Sequence, residues 1–106
     1  DRISDETYDD ARSFQEGLAR VKKDDEWFFI DKNGDRISDE TYDWADSFQE
    51  GLAVVEKDGR YFFIDKKGEP ISDETYDGAG SFHEGLARVN KDGEWFYIDH
   101  KGERVF

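Results

Sequence analysis

Asp31, Asn33 and Asp35 set three oxygen-bearing side chains at alternate positions, the opening rhythm of a calcium-binding loop. The rhythm does not continue. Arg36 holds the place where such a loop needs glycine, Gly34 is out of register, and Tyr42 stands where the closing bidentate glutamate belongs. The equivalent residues further on are Asp65, Lys67 and Glu69, so a polar turn is the better reading, and no metal or cofactor is assigned. His83 and His100 lie on different segments and form no zinc ligand set. The 28 acidic residues offer many carboxylate pairs. A glycosidase needs one pair at a controlled separation across a cleft. Here every candidate pair recurs along the chain, whereas an active site sits at one asymmetric place, so no catalytic residue is assigned. Trp44 is the single aromatic among its equivalents Asp10 and Gly78, and it is predicted to be an exposed contact residue.

These residues must be positioned by a unit of 34 residues, written three times over 1–34, 35–68 and 69–102, with a partial fourth copy at 103–106. The first two copies agree at 26 of 34 positions. A fixed period of this size predicts one domain, 1–106, in which each unit buries its apolar face against the next. Gln15 and Gln49 answer to His83, and Lys32 and Lys66 answer to His100, which marks the histidines as incidental surface residues.

Within the unit, Gly17–Val21 and Glu26–Asp31 read as two strands. The turn between them is Lys-Asp-Gly in copies two and three, a strong hairpin signal. Lys32-Asn33-Gly34 reads as a second turn of type I′, followed by a short third strand, Arg36–Ser38. Asp5–Glu16 has Tyr8, Ala11 and Phe14 at helical spacing and is predicted to be a connector with one helical turn. Arg20, Val54 and Arg88 share a variable position, as do Lys22, Glu56 and Asn90, which predicts a solvated strand face. Trp27 and Phe29 point to one side of the second strand, and Phe28 and Ile30 to the other. A strand apolar on both faces is covered on both, so a terminal unit exposes rings unless something caps it.

Composition narrows the partners. The net charge of −13 repels phosphate backbones and anionic lipid, which argues against nucleic acid and membrane. The absence of cysteine excludes a disulfide framework and thiol chemistry. Rings make up 16% of the chain and supply the core bulk that its modest apolar content lacks.

The sequence from Phe14 to Val21, then Trp27–Asp31 and Gly34, resembles the bacterial WG (KWG) repeat, in all three copies. Phe28, Phe62 and Phe96 replace the name-giving glycine, and Tyr61 replaces tryptophan in copy two. The resemblance implies a β-repeat module and carries no catalytic residues. The expected fold is all-β: tandem three-stranded antiparallel meanders in an open, solenoid-like array, with a closed threefold arrangement as the alternative. The expected function is a non-enzymatic structural or protein-interaction module. It would present an acidic face with Glu16, Glu26 and the Asp5-Glu6 pairs. A repeat that binds calcium or surface glycan is the alternative. The strand Asp1–Ser4 lacks a meander of its own, and an unpaired edge there could join two copies into a homo-oligomer.

Overall fold

The structure is a computed structural model, described here over residues 8–106. It is all-β, with no helix among the described residues. Among the described residues, nine strands form three antiparallel sheets in tandem, none closed into a barrel. The first sheet holds β1 (Asp10–Ala11), β2 (Ala19–Lys23) and β3 (Glu26–Ile30). The second holds β4 (Trp44–Ala45), β5 (Ala53–Lys57) and β6 (Arg60–Ile64). The third holds β7 (Gly78–Ala79), β8 (Ala87–Lys91) and β9 (Glu94–Ile98). Each sheet is a meander in chain order, and the whole extends 46 × 26 × 19 Å. The open array is therefore observed, and the closed threefold alternative is not.

The long hairpin of each unit forms as its turn chemistry dictates. Asp58-Gly59 and Asp92-Gly93 both have positive φ, the type I′ geometry whose twist suits paired strands. Asp24-Asp25 makes the same turn without glycine, at φ of 54° and 69°. An aspartate 15 residues upstream closes each turn: Asp9, Asp43 and Asp77 accept the amides of Asp24, Asp58 and Asp92 at 2.8–2.9 Å.

Four local expectations need correction. The connector is not helical over its described residues, 8–16. Asp10–Ala11 pairs with Val21 and Lys22, so the third strand of the meander precedes the hairpin. The strand expected at Arg36–Ser38 shrinks to a single bridge, Arg36 to Ile30, plus the Ile37 amide on the Phe29 carbonyl. The turn at Asp31–Gly34 is not type I′, because only Gly34 has positive φ. It closes through the Gly34 amide on the Asp31 carbonyl at 3.0 Å. Finally, the variable position on β2 is not a solvated face throughout. Arg20 is half-buried and Val54 is 1% exposed, because the next unit packs there. The expected orphan strand Asp1–Ser4 lies outside the described residues.

The core lies mainly in the seams between units. Leu18, Trp27 and Phe29 of the first unit pack with Tyr42, Ala45, Phe48, Ala53, Val55 and Ile64 of the second. Leu52, Val54 and Phe63 repeat this against Tyr76, Phe82, Val89 and Ile98 of the third. The Phe29–Phe48 rings meet edge-on at 4.7 Å, and Phe63–Phe82 at 4.9 Å. Phe28 and Ile30 turn the other way, onto Tyr8 and Phe14 of their own unit. Each unit thus fills one face of its aromatic strand itself and leaves the other for its successor.

Candidate interaction surface

Polar contacts lock the two seams. Glu16-Gly17, Glu50-Gly51 and Glu84-Gly85 each place two residues at positive φ, making a two-residue turn bridged Gln15–Leu18, Gln49–Leu52 and His83–Leu86. That turn aims two amides at the preceding unit. The Glu16 carboxylate accepts the Glu50 and Gly51 amides at 2.8 and 2.7 Å. Glu50 in turn accepts the Gly85 amide at 2.8 Å. A basic group from the following unit joins each carboxylate, Lys66 on Glu16 at 3.7 Å and His100 on Glu50 at 2.9 Å. The hydrogen bond from His100, followed by the Gly85 amide, holds the Glu50 carboxyl below its usual range. Backbone pairing crosses the seam as well. Trp27 and Tyr42 exchange two hydrogen bonds at 2.8 Å, and Tyr61 and Tyr76 do the same at 2.8–2.9 Å. Burial in the first seam pushes the Tyr42 phenol up to about 12.

At one point the seams differ. Arg20 lies 5.7 Å from the Trp27 ring centroid and donates to the Ala45 carbonyl at 2.6 Å, with Asp46 3.6 Å away. The other oxygen of Asp46 accepts the Ser81 hydroxyl at 2.9 Å, so this one carboxylate touches all three units. In the second seam the same two positions hold Val54 and Gly80, and packing replaces the ion pair.

Among the described residues, the same face of the third unit is uncovered. Trp95 is 59% exposed where its equivalent Trp27 is 9% exposed. Tyr97 is 46% exposed where Phe29 is 2%. Arg88 holds the Arg20 pose, 5.7 Å from the Trp95 ring, with no carboxylate partner among the described residues. The Glu84 carboxylate likewise meets no amide there. Residues 103–106 continue the pattern part-way. Arg104 bridges Ile98, Val105 donates to the Tyr97 carbonyl, and the Phe106 ring stands 6.3 Å from that of Tyr97. Arg88, Tyr97, Leu86 and Phe106 border an open cleft of about 590 Å³.

The residues singled out in the sequence sit elsewhere. Trp44 is half-buried, edge-on to Tyr61 at 6.2 Å and packed on the second seam, so it does not stand free as expected. Asp31 accepts the Asn33 and Asp35 amides on one oxygen at 2.9 and 3.1 Å. Asp65 and Asp99 do the same in their units. No group of three or more His, Asp or Glu is placed to share a metal among the described residues. His83 and His100 are both exposed, and His100 also contacts Glu50 across the second seam. Glu16 turns toward the following unit and is not free for a partner. The Glu-Gly turn escaped the sequence reading, although its identity in all three copies was the available signal.

A tandem array of open antiparallel meanders, with seams built from aromatic strand residues, defines a β-repeat protein. The WG-containing repeat profile matches three consecutive stretches, residues 7–27, 27–61 and 61–95, and the chain belongs to that family. No curated protein matches it. The phenylalanines that replace the family glycine fill space beside a tyrosine of the same unit: Phe28 by Tyr8, Phe62 by Tyr42 and Phe96 by Tyr76, at 6.1–6.4 Å.

Proposed function

We propose that this chain is a non-enzymatic structural or protein-interaction module. The observation that carries this reading is the repeated seam, in which aromatic strand residues of one unit pack against the next and the Glu16 and Glu50 carboxylates accept backbone amides across the junction. Most of the carboxylates recur unit by unit, which argues against a single asymmetric catalytic centre. Two ligand-binding readings compete, calcium at the Asp31-type turns and glycan stacked on Trp95. The test is thermal unfolding with calcium and with EDTA, alongside tryptophan emission titrated with a glycan panel. The melting temperature should be the same in both buffers, and Trp95 emission should not respond to glycans. A calcium-dependent rise in melting temperature, or a saturable glycan response lost in Trp95→Ala, would replace the interaction reading.

A further inference from the structure

The middle unit lacks an arginine that both its neighbours carry. In the first unit the Arg36 guanidinium lies over the face of Phe28, 3.9 Å from the ring centroid. In the third, Arg104 takes the same place over Phe96 at 4.5 Å. These arginines sit at matching backbone bridges, to Ile30 and to Ile98. Pro70 makes the equivalent bridge to Ile64, so the backbone is kept and only the cation is exchanged. Among the described residues no cation stands over Phe62. Proline has no group to lay across the phenyl face. An open cavity of about 270 Å³ is bordered there by Phe62, Pro70, Ser72, Asp73, Glu74 and Thr75. Phe62 is half-buried where Phe28 is 2% exposed.

Size and charge identify what the cavity takes. Small-molecule sites run roughly 300–1,000 Å³, so this one suits a single side chain. Its floor is a phenyl face, and the ring quadrupole attracts cations. Its rim is acidic. Asp73 is exposed and makes no hydrogen bond or ion pair among the described residues. Glu74 is held by Lys91 through one oxygen. The nearby Arg60 is committed to the Thr75 hydroxyl, the Thr75 carbonyl and the Asp77 carboxylate. The net charge of −13 draws cations to the whole surface. The ring selects among them, because a guanidinium is planar, stacks on aromatic faces and is more weakly hydrated than an ammonium.

We infer that the Phe62 cavity binds the guanidinium of an arginine in a basic segment of a partner protein, restoring the contact that Arg36 and Arg104 make within this chain. The Phe62 ring takes the face of the guanidinium, and Asp73 takes its edge N–H groups. The site lies inside the array, where the second and third units meet. The inference rests on the protein-interaction side of the function proposed above. Arginine is among the residues that anchor protein contacts most often, which favours a protein segment as the source of the group.

An NMR titration of the full chain tests this, with N-acetyl-arginine amide as the probe and the lysine and citrulline analogues as controls. Citrulline keeps the shape and removes the charge. One cation–π contact and one exposed ion pair bind weakly, so the arginine probe should saturate the amide shifts of Asp73, Glu74 and Thr75 with a Kd of roughly 10 mM. Lysine should bind more weakly, and citrulline should leave these amides unmoved. Asp73→Asn should weaken the arginine probe by up to about fivefold. Pro70→Arg gives this ring a guanidinium of its own, at a backbone position that holds arginine in both other units, and should abolish the response. Arg36→Pro should create a second responding site at Asp39, Glu40 and Thr41. The capped probe should also bind more tightly than free L-arginine, whose carboxylate meets Asp73 and Glu74. An unaltered chain with no saturable shift, or a response that survives Pro70→Arg, overturns the site. Lysine binding as tightly as arginine overturns the guanidinium assignment. Tighter binding of free L-arginine makes the ligand a small molecule and overturns the protein partner. The calcium and glycan measurements judge the interaction reading separately, so the two readings fail independently.

Discussion

At the scale of single residues, the three copies act as internal controls. Asp25 adopts φ of 69° where its equivalents are Gly59 and Gly93 at 80° and 85°. A side chain pays a steric penalty in that region that glycine avoids. Asp25→Gly should therefore stabilise the chain by up to about 1 kcal/mol, measured by urea denaturation. Gly59→Asp should do the reverse by a similar amount. Ionisation gives a second handle. The Tyr42 phenol is raised to about 12 in the folded chain against 10 in the open, so its contribution is intact below pH 10. It is lost as pH climbs from 10 through 12, because the unfolded chain then ionises first. Tyr76 shifts in the same direction, also through burial. The melting temperature should fall across that window, and Tyr42→Phe should flatten part of the fall. Glu50 has the opposite sign. Its carboxyl is held low, so its contribution is present above the ordinary carboxylate range and lost as pH falls through the lowered value. Glu50→Gln should remove part of the acid sensitivity seen in the melting curve.

At the scale of elements, the seams outweigh the individual sheets. Phe48 is 1% exposed and its ring lies across the first seam from Phe29. Phe48→Ala should cost about 3–5 kcal/mol, read from chemical denaturation. Trp44→Ala, at a half-buried position, should cost less. The hairpin strands were legible in the sequence because alternation, ring content and Asp-Gly turns all agreed. β1 was not legible, since two residues show no period, and Tyr8, Ala11 and Phe14 mimic helical spacing while bending around an irregular loop. The solvated face assigned to the Arg20 position failed at Val54 for a related reason. Variation there tracks a matched change across the seam, Asp46 to Gly80, and not exposure. The end face was anticipated in kind, as rings left uncovered on a terminal unit. Which residues form it, and that Glu84 and Arg88 belong to it, became clear only once the occupied seams were seen.

At the scale of the whole molecule, the seams among the described residues join neighbouring units, the condition under which stability approaches a sum of unit and seam contributions. Inserting a second copy of residues 35–68 after Gly68 should therefore leave the fold intact and raise the urea midpoint. The insertion puts Val54 opposite the duplicated Asp46, so the gain should increase when that aspartate is also changed to glycine. A further consequence lies in the bridges Trp27–Tyr42 and Tyr61–Tyr76. Each unit's aromatic strand is completed by a tyrosine that the sequence assigns to the following unit, so the units interlock and no cut separates them cleanly. Any window of 34 residues then contains one residue from every position of the period, wherever it starts. Recombination between such repeats has no required breakpoint: a duplication or deletion of one period preserves the backbone scheme from any phase. Array length can change in a single genetic event, and what remains to be tuned afterwards is the residue pair at each new junction.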